Sequence, residues 1–168
     1  MNKFGHVLNG VLIGVGLGVL LVPAGGLETA TSVLAVTVPV TLGALLPDID
    51  TEFGTHRKTL HNLSVLAGFA VFPMVFGNLQ WVWVGVMTHF VLDMFGTTRG
   101  IAPFYPVSEW EIGFPTGVTT SSEYATVVTL VVTVAELLVA AFVVLVAPEL
   151  GAGLDAALAE LASPPGLL

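Results

Sequence analysis

The chain has 168 residues, of which 55% are hydrophobic and only 10% are charged, and its formal net charge is −8. Because ordinary soluble domains carry about 25% charged residues, this composition indicates an integral membrane protein. It also argues against a nucleic-acid-binding surface, which needs clustered cations, since the chain holds only four Lys and Arg residues in all.

Five apolar runs follow one another along the chain, and we interpret them as about five transmembrane helices of an all-α, polytopic bundle. The last run is the clearest span, because it exceeds the ~20 residues that a bilayer crossing needs and carries one charge, Glu136. We expect residues 1–148 to form the membrane-embedded domain and 149–168 to form an acidic C-terminal tail. The five runs are 6–22, 30–46, 63–76, 80–95 and 124–147.

The basic residues predict how these helices are oriented. Five crossings place Lys3, Arg57, Lys58 and Arg99 on one side of the membrane, and the positive-inside rule assigns that side to the cytoplasm. We therefore predict a multi-pass protein of the cell (inner or plasma) membrane, with a cytoplasmic N-terminus and an external C-terminus.

The same threading gathers all four histidines and three aspartates at the cytoplasmic side. Among them, His89 and Asp93 are four residues apart, and so share one face of the fourth helix. Clustered ionisable residues in an apolar chain are expected to be functional. Because the chain has no cysteine, any metal must be held by nitrogen and oxygen. The predicted metal ligands are His6, Asp48, Asp50, His56, His61, His89 and Asp93.

Each of these elements also has an ordinary structural interpretation. An Asp-x-Asp pair such as Asp48 and Asp50 is common in turns, and a histidine at a membrane edge often only makes hydrogen bonds. Alternate residues of an extended stretch point in opposite directions, so we expect one aspartate to bind metal and the other to orient a histidine or a water molecule. The metal interpretation depends on the conjunction of all seven residues.

Four short motifs occur in a specific order: His6 near the start, LLPDID at 45–50, HRKTLH at 56–61 and HFVLD at 89–93. In this order they resemble the YdjM-like family of predicted membrane-bound metal-dependent hydrolases, over about residues 1–106. The resemblance implies a helical hydrolase distantly similar to zinc-dependent phospholipase C and single-strand-specific nucleases. It implies that Asp50 is a further ligand or orients the attacking water, and that the six other residues are ligands. Asn62 stands where the family usually has Ser, which would change a hydroxyl close to the ligands.

The chemistry expected of such a site is metal-assisted hydrolysis of a phosphate ester or lipid head group at the cytoplasmic interface. The expected cofactor is two Zn²⁺ ions, with Mn²⁺ or Fe²⁺ as alternatives. Asp50 and Arg57 are the predicted catalytic residues, Arg57 because a guanidinium binds anionic oxygens. The expected partners are membrane lipids and a small anionic or lipid substrate, and the oligomeric state stays open.

Two other functions also stay open. One is a metal ion transporter, which Glu136 in the middle of the fifth span supports. The other is a non-catalytic membrane protein in which a metal of closed coordination only joins helices.

Overall fold

The computed structural model describes residues 1–153, and within them the chain is helical, with two isolated β-bridges and no strand. This confirms the predicted all-α bundle. The helices are α1 (Lys3–Leu21), α2 (Gly26–Leu45), α3 (Leu63–Phe76), α4 (Val82–Gly96) and α5 (Ala125–Ala141), with a 3₁₀ helix at Pro47–Glu52 and a π-helical turn at Phe142–Val146.

The helix that begins with α5 continues without a break through the π-helical turn to Gly153. The boundary predicted between residues 148 and 149 therefore falls inside a helix. The rest of the predicted acidic tail, residues 154–168, lies outside the described residues.

Three helical stretches are long and apolar enough to cross a membrane: Lys3–Leu21, Gly26–Glu52 and Ala125–Gly153. The other two helices, α3 and α4, have 14 and 15 residues. At ~1.5 Å per residue they span about 21 to 23 Å, which is less than the ~30 Å of a bilayer's hydrocarbon core. Length and composition thus support three full spans among the described helices, where the sequence predicted about five.

A glycine stripe on α1 brings α1 and α2 into close contact. A Cβ atom added at Gly14 would lie 2.4 Å from Cα of Thr37, and one added at Gly18 would lie 2.6 Å from Cα of Val33. Gly10 occupies the preceding position of the same four-residue repeat. Small residues at this spacing let membrane helices approach to backbone contact, and this hairpin fixes the position of the N-terminal helix.

Two more glycines bring α4 against α2. A Cβ atom at Gly43 would lie 2.1 Å from the carbonyl oxygen of Val82, and one at Gly85 would lie 2.0 Å from that of Val40. The two backbones therefore touch along this stretch. His89 lies one turn beyond Gly85, so the contact determines where its imidazole meets α2.

Asn62 forms the N-terminal cap of α3. Its Oδ1 accepts the backbone N–H of Val65 at 3.1 Å, while its Nδ2 donates to the carbonyl oxygens of Lys58 and Thr59 at 3.1 and 2.9 Å. Ser and Asn are both preferred caps. Asn62 therefore begins α3, and its two donated hydrogen bonds close the loop that carries His61.

Candidate metal centre

All seven predicted ligands converge at one end of the bundle. They come from the start of α1, the 3₁₀ helix after α2, the loop before α3 and the last turns of α4. Six of them form two groups of three, each with ligand atoms within 4.8 Å of one another. The inner group is His6, His89 and Asp93; the outer group is Asp48, His56 and His61.

The inner group is fully buried between α1 and α4. The imidazole rings of His6 and His89 stack with centroids 3.7 Å apart and planes 9° from parallel. Asp93 lies beside both, with Oδ1 at 3.4 Å from Nε2 of His6 and Oδ2 at 3.7 Å from Nε2 of His89. The three side chains are at most 1% exposed, so no solvent reaches these ligand atoms.

Several polar atoms of the inner group have no hydrogen-bond partner within the part of the chain that the structure describes. They are both ring nitrogens of His6 and Oδ2 of Asp93. A buried polar atom left without a partner costs about 1 to 3 kcal/mol. A metal ion that accepts a lone pair from one ring nitrogen of His6 and one from Oδ2 of Asp93 would remove that cost for these two atoms, so the donor set fits one.

The outer group is more open to solvent. The side chain of His56 is 39% exposed and that of Asp48 is 13% exposed, whereas His61 is fully buried. Oδ1 of Asp48 lies 3.9 Å from Nδ1 of His56 and 3.9 Å from Nε2 of His61. This group therefore offers the side from which water or a substrate could approach.

His61 and His89 join the two groups, and their Nε2 atoms are 3.0 Å apart. The Nδ1–H of His89 donates to the backbone carbonyl of Ala44 at 2.7 Å, and Nδ1 of His61 lies 2.9 Å from a carboxylate oxygen of Asp50. A carbonyl or carboxylate can only accept, so both Nδ1 atoms carry the proton and each neutral ring has its lone pair on Nε2. Two lone pairs at this distance repel each other unless a proton or a cation lies beside them.

Carboxylates flank the paired nitrogens. Oδ1 of Asp48 lies 3.6 Å from Nε2 of His89, and Oδ2 of Asp93 lies 3.8 Å from Nε2 of His61. Burial lowers the pKa of His61 below its ordinary value, although the carboxylate of Asp50 opposes that shift. A neutral His61 leaves the lone pair of Nε2 available, which favours a metal cation over a proton at this point.

Asp50 contacts two histidines of the loop. Its Oδ1 lies 2.9 Å from Nδ1 of His56, and its Oδ2 lies 2.9 Å from Nδ1 of His61 and accepts the backbone N–H of Leu60 at 3.3 Å. The side chain is fully buried. Of the roles that the sequence left open, these contacts match the one in which Asp50 orients histidines, and for His61 this orientation places Nε2 against Nε2 of His89.

Arg57 lies beside the centre and is only 6% exposed. Its Nη1 donates to Oγ1 of Thr97 at 2.8 Å and also contacts the backbone carbonyl of Arg99, while its Nη2 lies 3.6 Å from Oδ1 of Asp93. The guanidinium thus ties the histidine loop to the end of α4. For its predicted role in binding anionic oxygens, Nη2 is the available nitrogen, and it already forms an ion pair with Asp93.

Two other cations of this face, Lys58 and Arg99, form exposed ion pairs. Lys58 Nζ lies 3.0 Å from a carboxylate oxygen of Glu109, and an Arg99 nitrogen lies 3.3 Å from one of Glu111. Both acidic residues belong to the long loop between α4 and α5. That loop therefore packs over the loop that carries His56 and His61 through the pair of Lys58 and Glu109, and each of the two charge pairs contributes little stability by itself.

Sequence reasoning missed two groups that hold the site together. The carbonyl of Ala44 orients His89, but a backbone atom leaves no trace in the residue pattern. Thr97 accepts from Arg57 and donates to the carbonyl of Asp93 at 2.8 Å. Thr97 lies four residues after Asp93 and so continues the same helix face. This spacing could have identified Thr97 from the sequence.

A helical, strongly apolar bundle with a buried cluster of His and Asp at one end defines a membrane protein with a candidate metal centre. The chain belongs to the YdjM inner membrane protein family, whose model matches residues 1–154. This confirms the family indicated by the motifs and extends the match well beyond residue 106. Neither the curated proteins nor the solved structures include a match to the chain.

Proposed function

We propose that the protein is a membrane-bound metal-dependent hydrolase that acts on a phosphate ester or a lipid head group. The observation that carries this proposal is the contact between the Nε2 atoms of His61 and His89 at 3.0 Å, beside the carboxylates of Asp48 and Asp93. Burying two facing lone pairs in an apolar protein costs free energy, and a cation bound between them would remove that cost.

The two groups of ligands support a centre of two divalent ions. Zn²⁺ suits a donor set of imidazoles and carboxylates, and Mn²⁺ or Fe²⁺ are the alternatives. When bound, such ions lower the pKa of water and neutralise charge on an attacked phosphoryl group. The inner group would hold one ion away from solvent, and the outer group would hold the other at the open side.

The protein's own residues orient these ligands and receive the substrate. Asp50 keeps the Nε2 atoms of His56 and His61 turned away from its carboxylate. The exposed edges of His56 and Asp48 define the approach for an ester. Nη2 of Arg57 can meet an anionic oxygen beside Asp93, since Nη1 is already engaged by Thr97.

For the topology, we propose five crossings with the N-terminus and the centre in the cytoplasm and the C-terminus outside. Lys3 begins α1 only three residues before His6, and Arg57 contacts Asp93, so these cations lie at the same end as the centre. The positive-inside rule supports that end as cytoplasmic. The short helices α3 and α4 would cross where neighbouring helices or local thinning of the bilayer accommodate them.

Metal content measured together with ester hydrolysis tests the function. The wild-type protein, purified in detergent, should retain divalent metal and cleave a chromogenic phosphodiester, while His89→Ala and Asp48→Ala should lose both properties. Glu109→Gln is the matched control, because it removes a carboxylate from an exposed ion pair outside the two groups. Full metal occupancy in the two alanine variants would contradict the ligand assignment.

A structural metal is the second candidate function, and the complete burial of the inner group favours it. In that case a bound ion would join α1 to α4 without meeting a substrate. Retained metal with no hydrolysis of any ester tested would support this alternative. Transport is supported less, because all the ligands lie at one end of the bundle and Glu136 is hydrogen-bonded to Asn9.

A further inference from the structure

A second buried polar cluster lies between α1 and α5, outside both groups of ligands. Nδ2 of Asn9 donates to Oε2 of Glu136 at 2.5 Å and to Oγ1 of Thr133 at 3.0 Å. Asn9 is fully buried. Placing a carboxyl group and an amide in an apolar bundle is costly, and the hydrolytic function does not use either group directly. We call these three residues the α1–α5 clasp.

His6 is the buried histidine that lacks an orienting hydrogen bond. His61 is held by Asp50 and His89 by the carbonyl of Ala44, whereas neither ring nitrogen of His6 has a partner among residues 1–153. The direction of its ring therefore depends on stacking against His89, on the 3.4 Å contact between its Nε2 and Oδ1 of Asp93, and on the rotation of α1 itself.

The clasp is the directional contact that can set this rotation. Asn9 lies three residues after His6, so the two side chains are less than one turn apart on neighbouring parts of the same helix face. α1 also meets α5 at two glycines, Gly5 against Thr129 and Gly16 against Leu137. An apolar cluster that contains Ile13 and Leu17 of α1 packs against Leu137 as well, without hydrogen bonds. Glycine contacts permit close approach but have no side chain to resist rotation.

We propose that Asn9 and Glu136 are positioning residues, which hold α1 so that His6 faces Asp93 and His89. This inference rests on the proposed metal centre, because it concerns how one of its ligands is presented. Preorganised ligands bind metal more tightly than ligands that must be ordered on binding. The clasp therefore tunes metal affinity at the inner group from a distance of one helical turn.

Co²⁺ binding to the protein in nanodiscs tests the clasp, with absorption spectra that report the ligand environment. The double variant Asn9→Leu/Glu136→Leu should fold at least as stably as the wild type, because replacing a buried polar pair with apolar residues is often neutral or stabilising. It should nevertheless bind Co²⁺ at the inner group about 10- to 100-fold more weakly, with the spectral change seen in His6→Ala.

Glu136→Gln is the conservative variant, since its amide oxygen can still accept from Asn9, and it should restore the wild-type affinity and spectrum. Val139→Leu on the exposed side of α5 is the matched control. If the double variant proves unfolded, Asn9→Ala removes the donor without adding bulk and should show the same loss.

The outcomes separate this inference from the proposed function. Wild-type protein that binds no Co²⁺ would overturn the proposed metal centre, and the clasp's role with it. Wild-type protein that binds Co²⁺, alongside a folded clasp variant with unchanged affinity and spectrum, would overturn the positioning role alone. Failure of Glu136→Gln to restore binding would also count against it.

Discussion

Replacing Asp50 with asparagine should weaken metal binding at the outer group without removing any ligand of either group. Asp50 accepts from two imidazoles and one backbone N–H through its two oxygens. Asparagine offers one oxygen, and its amide N–H₂ would face the N–H of the second ring. The affected histidine, His56 or His61, must then carry its proton on Nε2, the nitrogen that is needed for metal.

The size of the effect follows from these contacts. Loss of an outer-shell partner of a metal-bound histidine typically lowers affinity about 10- to 100-fold, which corresponds to about 1.4 to 2.8 kcal/mol. Asp48→Asn, which changes a direct ligand, should cost more. The affinity of the inner group should change less, because His89 is oriented by Ala44 and not by Asp50.

The assay is a Zn²⁺ titration of the purified protein against a competing chelating dye. Glu52→Gln is the control, since Glu52 lies in the same 3₁₀ helix with an exposed side chain. Wild-type affinity in Asp50→Asn would refute the orienting role. A loss as large as that of Asp48→Asn would instead make Asp50 a direct ligand.

Three further predictions concern packing, exposure and topology. Gly85→Ala should lower both thermal stability and metal affinity, because the new Cβ would lie 2.0 Å from the carbonyl of Val40 and overpacking costs about 1 to 3 kcal/mol; Gly68→Ala, with open space around it, should change neither. A chelator should release metal in two phases, fast from the partly exposed outer group and slow from the inner one. Release in a single phase would contradict two sites of unequal burial. Since the chain has no cysteine, Lys58→Cys and Glu149→Cys can each be labelled with an impermeant maleimide. Five crossings place these two positions on opposite sides of the membrane, so labelling of both from the same side would exclude five crossings.

The convergence of the ligands was predictable because it follows from counting helices and from helical spacing. His89 and Asp93 are four residues apart and therefore share one face of α4. Each antiparallel pair of helices returns the chain to the end of the bundle where it began, so the start of α1, the loop after α2 and the end of α4 lie together. The bounds of α3 and α4 were also predictable, since the apolar runs 63–76 and 80–95 nearly coincide with Leu63–Phe76 and Val82–Gly96. Hydropathy does not decide whether helices of this length cross a membrane.

The sequence alone did not predict which role each polar residue takes at the site. Asp48 and Asp50 have the same side chain and are only two positions apart. Only the surrounding structure decides that Asp48 lies near His89, whereas Asp50 contacts Nδ1 of His56 and of His61. Glu136 was recognised as unusual, but its partner Asn9 is 127 positions away in the chain. Such pairing depends on which faces of α1 and α5 meet.

The two groups of ligands are made rigid by different means, and this difference follows from the elements that carry them. The inner ligands project from helices that glycine contacts hold close to α2, so the backbone that carries these ligands is already ordered. The outer ligands His56 and His61 lie on a loop, where backbone order must be imposed by Asp50, Arg57 and the cap at Asn62. A loop held in this way can still move more easily than a helix. We therefore expect exchange of metal and entry of substrate to occur at the outer group, while the inner group keeps its ion through turnover.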